Sequence, residues 1–140
     1  MTPETTITLN GQEVKMIYCT ATENGFEQIS PNTLSVFVPT HGKNDKGENI
    51  ILEPAKATIG DFITLAVAAI VAAYTRDKKD TPVETEYILY DCTPQERNDL
   101  LSAIVELRSQ WYAVPKSVED TIKKESEADK GKEDGKGAKN

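Results

Sequence analysis

The reactive side chains in this chain are few and scattered. His41 is the single histidine and sits beside Gly42 in a polar stretch. A histidine acting as general base needs a partner to orient it, and none falls at a useful spacing, so it reads as a solvated loop residue. Asp45 and Glu48 flank Gly47 in NDKGEN, in the manner of a Ca²⁺ loop. The closing bidentate glutamate of an EF-hand is missing, however, and Lys43 and Lys46 intrude. Cys19 and Cys92 are too few for a disulfide framework and too far apart for a metal knuckle, so they read as free, partly buried thiols. Glu84, Glu86 and Asp91 read as the solvated face of a short helix rather than an acid–base pair. Phosphate-loop, GxSxG, HExxH and CxxC patterns are absent from the sequence. The expectation is a protein that is not an enzyme, with no catalytic residue, cofactor or metal.

Recognition is the chemistry left over. Tyr74, Tyr87, Tyr90, Trp111 and Tyr112 are large, flat and amphipathic. Such a set either fills a core or forms the hot-spot patch of an interface, and the sequence leaves both open. An apolar groove on an acidic body would suit a helical chaperone for amphipathic client helices.

These aromatic residues must be held by the elements around the stretch 58–76, TIGDFITLAVAAIVAAYTR. Between 62 and 74 every residue but Thr64 is apolar, and Thr58 with Asp61 reads as an N-cap followed by an acid in the first turn. The alanines keep the rod thin, so neighbours approach closely. Thirteen apolar residues make roughly 20 Å of helix, short of the ~20 residues of a membrane span. This is read as a buried core helix, with an oligomer contact as its second use.

The remaining elements follow from punctuation. Residues 5–18 alternate around Asn10-Gly11, the preferred pair of a type I′ turn, and predict a hairpin whose apolar face packs on helices. Residues 20–29 predict a short helix carrying Phe26 and Ile29, ended by Ser30-Pro31. The β-branched run 33–38, closed by Pro39, reads as an extra edge strand, and THGKNDKGEN as an exposed loop or hairpin tip. Two later starts are written alike: Thr81-Pro82-Val83-Glu84 and Thr93-Pro94-Gln95-Glu96 both place Thr at the cap, Pro next and Glu third. The first predicts a helix over 82–90 carrying Val83, Tyr87 and Tyr90. The second predicts one over 94–112 with a stripe from Leu100 to Tyr112. The fold class is α+β, mainly α: an N-terminal hairpin on a three- or four-helix cluster. One domain spans 1–115, and the charged segment 116–140 cannot repay its ordering entropy and is expected to be disordered.

The chain carries a formal charge of −7, and the segment from 116 onward holds seven lysines against seven acids, so the excess acid lies in 1–115. That argues against a nucleic-acid phosphate footprint and against an anionic membrane surface. The first residues, MTPETTITL, lack the basic and apolar regions of a secretory signal, and a cytoplasmic location is expected.

As an ordered set, LNGQEVKM, MIYCTATENGFEQIS, TLAVAAIVAAY and ILYDCTPQE…LRSQWYAVP resemble the tail assembly chaperones of long-tailed phages. The likeness is to versions carried by phages and prophages of gut Bacteroidetes, and covers most of 5–115. It implies a non-enzymatic protein absent from the finished virion that binds the tape-measure protein. Such a protein keeps its client soluble until tail tube protein subunits polymerise around it. The resemblance also implies a longer frameshifted form, and it carries over no catalytic residue. The insertion SPNTLSVFVPTHGKNDKGEN departs from the simplest layout of that family. Two other readings stand beside it: a structural tail or head-completion protein of the virion, and a bacterial protein-interaction module. Homo-oligomerisation through the central helix accompanies the structural reading.

Overall fold

The Asn10-Gly11 pair does what its chemistry favours: both residues adopt positive φ, 52° and 76°, and close a hairpin between β1 (Glu4–Leu9) and β2 (Gln12–Ile17) with Leu9 opposite Gln12. One face of this hairpin is dry, with Leu9, Val14, Met16 and Tyr18 fully buried. Helix α1 (Thr20–Ile29) follows directly. Helix α2 (Ile59–Asp77) is the centre of the molecule, with ten of its 19 residues buried. Its cap is the one read from sequence: the Thr58 hydroxyl accepts from the Asp61 N–H, and the Asp61 carboxylate accepts from the Thr58 N–H. Helix α3 (Pro94–Tyr112) opens on the same reciprocal box at Thr93 and Glu96. It buries Leu100, Ile104 and Leu107 toward the common core. The fold is α+β and mainly helical, an N-terminal two-stranded hairpin packed with three α-helices.

The computed structural model describes residues 2–113, so the expectation of disorder over 116–140 lies outside the described residues. Among the described residues, α2 is the one helix long and apolar enough to cross a membrane, and 56% of its most apolar window is packed inside the domain.

Two expectations are corrected. Residues 33–38 are not an edge strand: Leu34–Phe37 form a single 3-10 turn, with Val36 N–H donating to Thr33 and Val38 N–H to Ser35. The turn swings Phe37 inward, where its ring meets Phe26 at 5.2 Å and Phe62 at 4.9 Å, both edge-on. Burial of one ring among three decides the backbone there, against the β propensity of its neighbours. Residues 82–90 are helical only in part, and the helix does not start at Thr81. The backbone bends through Pro82 and Val83, turns helical at Thr85 and Glu86 and runs on as one wide π-turn at Tyr87–Asp91. The buried residues are therefore Val83 and Ile88, while Tyr90, expected on the inner stripe, is 79% exposed. The polar stretch 40–49, read as either a loop or a hairpin tip, is part of a second hairpin, β3 (Thr40–Lys43) with β4 (Asn49–Glu53).

Candidate partner-binding surface

The five aromatic residues do not gather on one face. Tyr74, near the end of α2, lies under the first hairpin, where its hydroxyl accepts the Lys15 N–H at 3.0 Å. Lys15 itself bridges to Asp77 at 3.1 Å, so hairpin and helix end are tied twice. Tyr87 donates to Glu96 Oε1 at 2.7 Å, and that contact pushes its phenol up to about 12. Glu96 also accepts from the N–H groups of Asn10 and Thr93, at 2.7 and 2.8 Å. Those two N–H donors hold its carboxyl below the usual carboxylate range. One glutamate thus ties the first hairpin's turn, the π-turn and the start of α3 together.

Trp111 and Tyr112 are brought together by a residue absent from that list. Their rings lie 6.2 and 6.5 Å from Tyr18. Burial, then the neighbouring Glu23, pushes the Tyr18 phenol well above its ordinary range. Glu23, in the first turn of α1, accepts from both the Tyr18 and Tyr112 hydroxyls. The Arg108 guanidinium lies over the Tyr112 ring at 4.9 Å and over Phe37 at 5.4 Å. Tyr74, Tyr87 and Trp111 therefore have internal structural contacts. Tyr112 has such contacts yet remains 56% exposed, and Tyr90 projects beside a cleft between its own π-turn and the start of α2.

The more apolar concavity lies elsewhere. Between α1 and α2 runs an open groove of ≈ 530 Å³. Ala21 and Gly25 on α1 face Ala68 and Ala72 on α2, and Ile29 and Val71 contribute apolar walls. The floor is shallow and smooth because its residues are small. A Cβ on Gly25 would stand only 3.4 Å from that of Ala68, so the two helices touch almost backbone to backbone. Ile29 is 47% and Val71 40% exposed, although both are aliphatic and both belong to well-formed helices. At one end Arg76 reaches Glu4 at 3.4 Å and Asp77 at 3.3 Å, closing the groove with a charged rim. Cys19 lines the same groove as a free thiol, and Cys92, also free, lies in the Tyr90 cleft. Burial, then the Glu96 carboxylate, pushes the Cys92 thiol up, which disfavours the reactive thiolate.

Sequence reasoning weighed aromatic residues and so missed this groove. The signal was present in the i, i+4 row Ala21, Gly25, Ile29, which marks a helix face both narrow and apolar. The arrangement can seat a ridge of apolar side chains from another helix. Comparison with protein-family models, curated proteins and solved structures returned no match.

Proposed function

We propose that this chain is a non-enzymatic phage tail assembly chaperone that binds the tape-measure protein in the host cytoplasm and keeps it soluble. The observation that carries the reading is the groove between α1 and α2, open to solvent and mostly apolar, with Asn24, Gln28 and Thr75 among its lining residues. An amphipathic client helix lays its i, i+3, i+4, i+7 side chains into such a groove, and its affinity comes from burying Ile29 and Val71 against them. The acidic body around the groove supplies solubility and repels acidic competitors. The choice of client rests on the resemblance of the sequence to the phage chaperones. Tyr90 and Tyr112 are the aromatic residues left exposed, and neither lines the groove.

The test is co-expression with a tape-measure protein encoded immediately downstream, followed by solubility and pull-down assays. The chaperone reading requires that the long protein stay soluble and be retained. It also requires that Val71→Glu, a change at a half-exposed position, abolish retention without lowering the melting temperature. A client left insoluble and unbound, or one held equally by the Glu variant, rejects it. Recovery of the chain in purified tails would favour a structural tail protein instead.

A further inference from the structure

The groove between α1 and α2 has two electrically different ends. Gly25 of α1 packs on Ala68 of α2. To one side of that contact Asn32, just past the end of α1, donates its amide to the Asp61 carboxylate at the start of α2, at 2.9 Å. To the other side Cys19, at the start of α1, and Arg76, near the end of α2, both line the groove. The helices therefore run antiparallel, and their dipoles offset each other along the cleft. Side chains are left to set its polarity.

Arg76 makes one end positive. It meets Glu4 and Asp77 at 3.4 and 3.3 Å, longer than the roughly 2.7–2.9 Å of a strong charge-assisted bond. Asp77 is also held by Lys15, at 3.1 Å. Of these four charged residues Arg76 alone lines the groove, and the rest of its fork of N–H donors stays available there. Asp61 makes the other end negative. It precedes Ala68 by about two helical turns, so it lies on the same face of α2, about 10 Å further along. Burial would raise its carboxyl, but hydrogen bonds from Thr58 and Asn32 outweigh that and hold it below the usual carboxylate range. The last turn of α1 carries no basic residue to counter it. The Arg76 side chain is 44% exposed, whereas Asp61 is 7% exposed. Arg76 is therefore the pole that touches an occupant, and Asp61 biases from below.

A helix of another protein has its own preferred order of charge, acids in the first turn and bases in the last. Laid with its first turn at Arg76, such a helix meets both poles with the right sign. It then runs antiparallel to α2, the longer of the two walls, and complements the dipole of that helix. Reversed, it sets its bases against Arg76 and its acids against Asp61. Asn24 and Gln28, exposed and one turn apart on α1, border the apolar floor and receive its polar flank.

We infer that the groove selects a charge-balanced amphipathic helix, seated antiparallel to α2 with its acidic first turn at Arg76. The inference rests on the groove being the docking site and adds the polarity of its occupant.

Cys19 supplies the test, because it is a free thiol at the Arg76 end, while Cys92 lies in the separate Tyr90 cleft. The probe is an acetylated, amidated peptide of about 16 residues, long enough to hold a helix. It carries a leucine row at i, i+4 spacing, glutamates first and lysines last. One version bears an activated cysteine disulfide in its first turn, the other in its last. Attack by the Cys19 thiolate joins peptide to protein as a mixed disulfide and releases the activating thiolate, which is coloured. Each rate is taken relative to coupling of the same peptide with glutathione. With the full chain, the first-turn version should couple to Cys19 at least about tenfold faster than the last-turn version. Arg76→Gln should cut that advantage about threefold. Coupling that favours Cys19 over Cys92 without favouring the first-turn version, or an advantage indifferent to Arg76→Gln, overturns the polarity and leaves the groove as a docking site. Coupling no faster at Cys19 than at Cys92 with either version overturns both.

Discussion

The described residues contain two antiparallel hairpins of similar local design, and they stand in opposite relations to the helices. Both turns hold a glycine at nearly the same positive φ, Gly11 at 76° and Gly47 at 79°. Both ribbons carry aliphatic residues. In β1–β2 these are sealed against α2 and α3, and the ribbon is further tied by Glu96 at its turn and by Lys15 to Tyr74 and Asp77. In β3–β4 they face water. Strand pairing alone does not decide whether a hairpin belongs to a core. The helices that cover it do.

The comparison can be broken most severely at the floor on which the first hairpin rests. Ala69 is fully buried in α2, and Ala69→Asp places an unpaired charge there. The cost is about 4 kcal/mol or more, enough to unfold a domain of ordinary stability. A soluble variant with wild-type melting temperature would contradict the core described here. Next come matched truncations. Met16→Ala on β2 should cost about 3 kcal/mol in chemical denaturation, whereas Ile51→Ala on β4 should stay within about 0.5 kcal/mol. Similar losses at the two sites would erase the distinction between the hairpins.

Glu96 gives a pH-resolved version. Its carboxyl titrates lower in the fold than its ordinary 4.5, so the unfolded chain takes up the proton first. The stabilisation is therefore complete above pH 4.5 and is lost as pH falls through the lower folded value. Glu96→Gln should cost about 1 kcal/mol at neutral pH and should flatten the acid limb of melting temperature against pH. An unchanged acid limb would remove Glu96 from the set of groups that fix the first turn. The smallest effect is the most diagnostic. Gly11→Ala forces a side chain into the left-handed region and should cost about 1 kcal/mol of global stability. Gly47→Ala meets the same strain, yet should fray only its own ribbon and leave the global transition in place. Hydrogen exchange at 40–53 separates the two outcomes.

How much of this was legible follows the range of the forces involved. The caps of α2 and α3 and the first turn are set by side chains within three residues of the backbone groups they serve, and Thr58, Thr93 and Asn10-Gly11 announced them. The 3-10 turn at Leu34–Phe37 was not legible. It is dictated by Phe26 and Phe62, which lie 11 and 25 residues away in the chain. The capping signature at Thr81 matched the one at Thr93 letter for letter at its key positions. It failed because the chain bends there to bury Val83 and then coils one wide turn that buries Ile88. At the candidate site, residue type misdirected the reading. Tyr74 and Tyr87 use their hydroxyls on internal partners, and a groove floored by alanine and glycine carries little chemical signature in a sequence.

Trp111, the single tryptophan, has a consequence of a different kind. Its indole sits in the last turn of α3, 6.2 Å from the Tyr18 ring just past the end of β2, so excitation of Tyr18 passes readily to it. Glu23 of α1 binds the hydroxyl of that same tyrosine. The emission of one native fluorophore therefore follows the docking of hairpin, first helix and last helix together. The protein carries its own optical gauge of that three-way docking, readable without attaching a label.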